Sequence, residues 1–498
     1  MAIKKYVASK DNTITNAFGI DLNTRSTGSN MGAADILEIF SIYGQAAITS
    51  SVELARTLIE FPIPDIHSDR DSGVIPESGS VSFYLRVFNA RHSEQLPENF
   101  TINVLAVSES WSEGTGLDMV SYTDKLLDVN DGSSWTNRNK TGSWGTIGGV
   151  YHSSSYTSGS TMPNYTYTFN KGNEDVLLDV TAAVEEWIAD RQPNYGFGLF
   201  LTSSFEANVT ASDSYNIINT DGPKLSFYTK RFFSRSSEFF FKKPVLEARW
   251  DSRVTDDRAN FYSSSSIAPA KDNLNNLYLY NYIRGRLVDI PHTETVTVKL
   301  YDSVDDKPAG GSLTSATATK IDTGIYKASI ALNTTSSVIH DVWSGSIGGE
   351  YKTGSISVKN FNNTSVLLSD DFSQFTTKIA NLKNKYVKNE QARMRMFTRP
   401  RNFDPTIYTV ASNEIEKTII PSASFEILRM VDEETVINNS TGSSDYHTYL
   451  SYDNSGSYFD LDMSLLEPGY MYGIKLSFYS SGQWREQEEV FKFRVEDN

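Results

Sequence analysis

The chain has 498 residues, a formal net charge of −16, a sequence pI near 4.9 and no cysteine. The charge opposes binding to a nucleic-acid backbone, and the lack of Cys excludes disulfides and thiolate metal sites, so stability rests on packed cores and association. Short apolar runs separated by Ser, Thr, Asn, Asp and Gly, with 27 Tyr and 27 Phe, predict an all-β protein of about three domains at roughly 150 residues each.

The N-terminus lacks the apolar core of a signal peptide, and no run approaches the length of a membrane span. A cytoplasmically made protein with no membrane partner is therefore expected. Strand-like runs follow at Ile36 to Ile42, Leu54 to Ile63, Val81 to Phe88 and Ile102 to Val107; in the third, Val81, Phe83, Leu85 and Val87 alternate with Ser82, Tyr84, Arg86 and Phe88. The segment from Trp111 to Asn164 is long, rich in Gly and Ser, and carries Trp111, Trp135 and Trp144. Such a loop is either functional or held down by a partner.

The stretch Val176 to Thr202 organises this first region. Val180, Val184, Trp187 and Ile188 lie on one face of a short helix, Asp179 or Thr181 can cap it, and Pro193 and Asn194 are the expected stop. Beyond Gly196, Phe197, Leu199 and Leu201 point to one side of a strand, Gly198 and Phe200 to the other. The helix is expected to close one end of a β-sandwich.

The ordered motifs ARTLIEFPI, GSVSFYLRVFNA, VLAVSESWSEGTGLD, SSWTNRN, LLDVTAAVEEWIADRQPNYGFGLFLTSS and GPKLSFYTK resemble the DNRLRE-type β-sandwich, a module similar to carbohydrate-binding modules. The resemblance implies a jelly-roll-like sandwich over residues 1–230 with a capacity for glycan binding. Trp135, Trp144, Tyr151 and Tyr156 are the rings on which sugars of a host surface polysaccharide could stack; the alternative is that they seal the long loop onto a sheet.

Residues 231–276 form an expected ordered connector. Phe232, Phe233, Phe239, Phe240 and Phe241 interleave with Lys230, Arg231, Arg235, Lys242 and Lys243. An aromatic and basic pattern of this kind fits a nucleic-acid platform or a protein contact, and the acidic chain favours the contact. Phe232, Phe233, Phe239, Phe240, Phe241, Lys242 and Lys243 are thus candidate assembly residues.

Two Ig-like sandwiches are expected at 277–364 and 365–498. In the first, Val296, Val298 and Leu300 alternate with Thr297, Lys299 and Tyr301. In the second, Met394 and Met396 alternate with Arg393 and Arg395, and Leu466-Glu-Pro-Gly-Tyr-Met-Tyr472 resembles the tyrosine corner of fibronectin type III sandwiches, which implies that Tyr472 hydrogen-bonds back to the nearby backbone.

Chemistry-bearing motifs are sparse. A G-x-S-x-G elbow, a P-loop and an H-E-x-x-H pair are missing, and the six histidines are scattered singly. Asp128, Asn130 and Asp131 before Gly132 read as a turn more readily than as a calcium loop; Asp256-Asp257 and Asp460 with Asp462 are no more specific. Glu109 and Glu113 flank Trp111 and are the first carboxylate pair to inspect for glycoside cleavage. No catalytic, cofactor or metal residue is assigned, and an enzyme is not expected.

Over nearly its whole length the chain resembles large structural proteins of marine tailed bacteriophages, including cyanophages, through NTITNAFGIDLNTRSTGSNMGAADILEIFSIYGQ, KRFFSRSSEFFFKKPVLEARWDS, NLYLYNYIRGRLVDIP, LLEPGYMYGIKLSFY and EVFKFRVEDN. This implies a virion location, other virion proteins as partners and a homo-oligomer on the particle. A neck, tail or baseplate component is the leading expectation; a capsid decoration protein and a host-glycan-binding adhesin are the alternatives.

Overall fold

The computed structural model describes residues 2–498 apart from 45–50, 93–95, 120–130, 267, 292–294, 304–310, 347–348, 360–374, 402–403, 405–406, 408–417, 443–444, 481 and 498. It divides into two compact units, Ala2–Asp251 and Ser252–Asn498. Both are built of β-sandwiches.

The first unit begins with β1 (Ile3–Val7), β2 (Lys10–Thr15), β3 (Ile36–Gly44) and β4 (Ser51–Glu60). A helix, α1 (Ile63–Asp71), comes next, followed by β5 (Val81–Val87), β6 (Phe100–Ala106), β7 (Asn164–Phe169) and β8 (Val176–Asp179). The helix α2 (Thr181–Ile188) leads into β9 (Phe197–Leu201), β10 (Phe227–Phe233) and β11 (Val245–Trp250). One sheet has the order β1-β11-β5-β8 and the other β10-β3-β4-β9-β6-β7, with β2 also on β4; every pairing is antiparallel, as in a jelly roll. Because successive strand residues face opposite ways, Val81, Phe83, Leu85 and Val87 meet Phe100, Ile102, Val104, Phe197 and Leu199 in one core. Each such side chain contributes about 1.5–3 kcal/mol on full burial.

Helix α2 lies where the pattern placed it, burying Val184, Trp187 and Ile188. Trp187 packs on Phe197 with ring centroids 4.8 Å apart. The Asp179 carboxylate accepts the Thr181 N–H at 2.9 Å, while the Thr181 hydroxyl accepts the Phe83 N–H at 2.8 Å and ties the helix start to β5. The helix ends earlier than Pro193: Asp190 takes a left-handed φ of 52° and breaks it. Helix α1 has no counterpart in the apolar pattern, since only Ile63 and Ile66 are buried along it.

The expected connector at 231–276 is corrected. Residues 231–250 complete β10 and all of β11, strands in the two sheets of the first unit, so the boundary falls at Asp251 and not at 230. Adding β11 between β1 and β5 is what closes the smaller sheet.

The second unit holds two sandwiches. The first has a core of Leu277, Leu279, Val298, Leu300, Trp343 and Ile356 among others. Its buried Trp343 donates from Nε1 to Asp341 at 2.7 Å, and Arg258 forks onto the same carboxylate at 2.7 and 2.5 Å, so the buried Asp341 charge is paired and holds three hydrogen bonds. In the second, Met394 and Met396 point inward and Arg393 and Arg395 pair with Asp460 and Asp453. The tyrosine-corner expectation holds: the Tyr472 hydroxyl donates to the Glu467 carbonyl at 2.7 Å. Residues 252–260 join the two sandwiches of this unit, with Asp256 N–H donating to the Tyr452 carbonyl, Tyr452 N–H to Val254, and the Tyr452 hydroxyl to Asp257 at 2.8 Å.

Candidate functional site: a tethered aromatic loop

The long loop of the first unit is a second core. Trp111, Trp135 and Trp144 are buried with Ile14, Val52, Leu54 and Leu58 on the face of the larger sheet that points away from the first core. Each indole N–H is satisfied by a carbonyl at 2.9 Å, from Tyr195, Tyr215 and Ser134 respectively. Beneath them the Arg56 guanidinium donates to both Glu206 oxygens at 3.1 and 3.2 Å and to the Gly148 carbonyl at 3.2 Å, and lies 4.5 Å from the Phe200 ring centre. Burial pushes the Glu206 carboxyl up, and Arg56 opposes it.

This geometry corrects the sugar-stacking candidates. Trp135 and Trp144 are sealed, and Tyr151 is half-buried against Phe200 and over Gly198, where a Cβ would overlap its ring. Tyr156 is exposed, and its hydroxyl donates to Glu186 at 2.9 Å. Glu186 is held below the usual carboxylate range, at about 2, first by Arg191 and then by Tyr156 and Ser158. The four rings form no common platform.

The loop between β10 and β11 behaves differently. Ser234 donates from its hydroxyl to the Ala34 carbonyl at 2.6 Å, and Arg235 donates its N–H to Asp11 at 2.5 Å and both Nε and Nη2 to Glu113 at 2.6 Å. A forked guanidinium to carboxylate pair is the strong, orienting kind. Burial, reinforced by the Glu113 charge, pushes Asp11 up to about 7 against the Arg235 N–H bond. From this anchorage the chain displays Phe239, 51% exposed, and Phe240, 37% exposed. Phe233 packs edge-on to Phe239 at 5.3 Å, and Phe240 meets Phe241 at 5.0 Å.

Of the candidate assembly residues, Phe239 and Phe240 stand at the surface, Phe233, Phe241, Lys242 and Lys243 are half-buried, and Phe232 is in the core. Phe232 is therefore withdrawn, because strand alternation turns it inward. Lys230, Arg231, Arg235 and Lys242 have internal tasks. Lys230 is buried and donates to Asn89, Gly172 and Glu174 at 2.7–2.8 Å, and its burial lowers it to about 8. Arg231 pairs with Glu38 at 2.6 Å and Lys242 lies over the Phe88 ring. That use of charge argues against a nucleic-acid platform.

Leu225 and Phe227 escaped the sequence reading. Phe227 is 65% exposed at the start of edge strand β10, opposite the exposed Ile42. Their alternation with Ser226 and Tyr228 announces a strand, but not which of its faces is left uncovered.

The carboxylates singled out from sequence are structural. Glu113 is committed to Arg235, Glu109 bonds the Gly145 N–H, Asp257 accepts from Tyr452, Asp460 pairs with Arg393, and Asp462 caps Ser464. Asp131 accepts from Ser112 and from the Lys140 N–H, whereas Asp128 and Asn130 lie outside the described residues. Among the described residues no group of three or more His, Asp or Glu is placed to hold a metal. No described helix is long and apolar enough to cross a membrane.

No protein-family model matches the chain, and no curated protein is similar to it. Solved structures with partial likeness include the Yersinia pseudotuberculosis adhesin InvE, at 11% identity over 47% of this chain and 56% of that one, with a TM-score of 0.16. A titin A168169 fragment matches at 10% identity over 48% of this chain and 95% of that one, TM-score 0.14. The chicken CNTN1 FN1-FN3 domains match at 11% over 55% and 82%, TM-score 0.16. The chain spans about half the length of the adhesin. Scores this low carry no argument about function, and the β-sandwich assignment stands on the strand pairing described above.

Proposed function

We propose that the protein is a non-enzymatic structural component of a tailed-phage particle, at the neck, tail or baseplate, assembling through contacts of its β-sandwiches. The phage reading comes from the sequence resemblance. The structural observation that supports an assembly role is the pair Phe239 and Phe240, exposed on a loop that Arg235 fixes to Glu113 and Asp11. Rigid exposed aromatics are favourable contact groups, because burying them costs little side-chain entropy. The glycan-adhesin alternative lost its stacking platform with Trp135 and Trp144 buried.

Mass spectrometry and cryo-EM of purified particles test the proposal. The chain is expected in stoichiometric amount, with residues 234–244 covered by a neighbour. Its absence from particles, or a loop open to solvent in every copy, overturns the reading. The same map separates a tail site from capsid decoration.

A further inference from the structure

Lys230 lies on β10 two residues before Phe232, so strand alternation turns both to the core side. It is fully buried, and its Nζ lies 4.5 Å from the Phe169 ring centre and 5.2 Å from that of Phe232. Three oxygens receive it: the Asn89 side-chain Oδ1 at 2.7 Å and the backbone carbonyls of Gly172 and Glu174, each at 2.8 Å. None of them is a carboxylate. Burying an ammonium without a bonded counter-ion is costly, and burial accordingly brings this amine down to about 8.

Asn89 is held as firmly as its partner. It follows β5, a strand of the smaller sheet, whereas β10 belongs to the larger one. The Asn89 N–H donates to Asp175 Oδ1 at 2.8 Å, and Asn89 pairs with Phe232 in an isolated antiparallel bridge. Phe233 N–H to the Phe88 carbonyl and Ala90 N–H to the Arg231 carbonyl, both at 3.0 Å, fix this crossing on either side. The Asn89 amide carbon stands one carbonyl bond, about 1.2 Å, behind the oxygen that Lys230 touches. An amine and an amide are thus held together in a ring-lined interior, with the entropy of their encounter already lost on folding.

A proton carrier stands beside them. Glu174 accepts the Asn170 and Lys171 N–H groups at 2.9 and 2.7 Å with Oε1, while its Oε2 is buried and has no hydrogen-bond partner among the described residues. Of the charges that act on Lys230, that of Glu174 comes first and that of Asp175 second. His92 is kept neutral, held down to about 4 by burial and by the charges of Lys230 and Arg231.

We propose that Lys230 and Asn89 join in an intramolecular amide that ties the two sheets of the first unit together covalently. The Nζ lone pair attacks Cγ of Asn89, a new C–N bond forms, and the Cγ–Nδ2 bond breaks. One Nζ proton passes by way of the Glu174 carboxylate to the departing nitrogen, which leaves as ammonia, so the step balances with no oxidant, reductant or co-reactant. In a chain with no cysteine, this link does what a disulfide does elsewhere. The inference goes beyond the assembly reading and stands whether or not the chain sits on a phage particle.

The test is the intact mass and tryptic map of the purified full chain after incubation at pH 8, where about half of the amine is neutral. Wild type is expected to be lighter than its sequence mass by one ammonia, with a branched peptide joining Lys230 to Asn89. Lys230→Met and Asn89→Ala are expected to keep their full masses; the second, at a half-buried position, leaves the core side chains in place. Glu174→Gln, which retains the Oε1 contacts, should slow the linkage at least about a hundredfold. Wild type at its full sequence mass, or an ammonia loss that maps to other residues, overturns the proposal. Linkage of Glu174→Gln at the wild-type rate overturns the role given to Glu174.

Discussion

The first unit has two aromatic loops, and they end up on opposite sides of the water boundary. The loop with Trp111, Trp135 and Trp144 lies flat on the outer face of the larger sheet and turns its rings inward, whereas the β10–β11 loop, tied by Arg235, holds Phe239 and Phe240 outward. Both are rich in rings and polar small residues. What separates them is the surface beneath: Ile14, Val52, Leu54 and Leu58 give the first loop an apolar floor, while the second is clamped by charge at its base and holds Phe239 and Phe240 beside Phe233 and Phe241 at the surface. Aromatic content therefore says that a loop is ordered, and the facing sheet says whether its rings are available.

Removing the sealed side of this comparison should have the largest effect. Trp135→Ala deletes a fully buried indole and is expected to destabilise the first unit by about 3–5 kcal/mol, read from the urea midpoint. A loss under about 1 kcal/mol would mean that the loop is not a core at all.

The ion pair below that loop comes next. Arg56→Met leaves Glu206 buried and unpaired and should cost about 3 kcal/mol, with Arg56→Met and Glu206→Leu together recovering most of it. An uncoupled double-mutant cycle would show that water reaches the pair.

On the exposed side, the anchorage titrates. Asp11 has a native pKa raised to about 7 from 3.8, so the folded chain binds more protons than the unfolded one between those values. Its contribution to stability is present at the acid end of that window and is lost as pH rises through about 7. Asp11→Asn should flatten this dependence, and thermal melts of wild type and variant from pH 4 to pH 8 should diverge in slope. Parallel curves would place Asp11 in water.

The smallest effect is expected at the display itself. Phe239→Ser with Phe240→Ser should change the stability of the isolated chain by no more than about 0.5 kcal/mol, because the rings already face solvent. A larger loss in melts would show that their contacts with Phe233 and Phe241 carry stability and would remove them as contact residues.

Much of the fold was legible in the residues. Alternation placed Val81, Phe83, Leu85 and Val87 inward, helical spacing set Val184, Trp187 and Ile188 on the core, and the Leu466 to Tyr472 motif gave the tyrosine corner. These are local signals with a period set by the backbone, so short windows suffice. The β11 strand was missed because Lys243-Pro-Val-Leu-Glu-Ala-Arg-Trp250 carries one buried carboxylate, Glu247, whose charge is balanced by Arg249 two residues on and by Lys5 and Arg86 from elsewhere in the chain. Helix α1 was missed because only two of its residues are buried.

For the candidate site, the sequence determined which residue types were present and that strands would alternate. It placed Phe239 and Phe240 in an aromatic run and the tryptophans in a long loop, and by those facts alone the two were equivalent. Only the tertiary structure decided that the tryptophans face an apolar sheet, that Phe232 turns inward and that Lys230 is spent on three acceptors. The reason is that exposure depends on what lies across from a residue, and here the opposing groups, Glu113 for Arg235 and Leu54 for the loop tryptophans, lie far away along the chain.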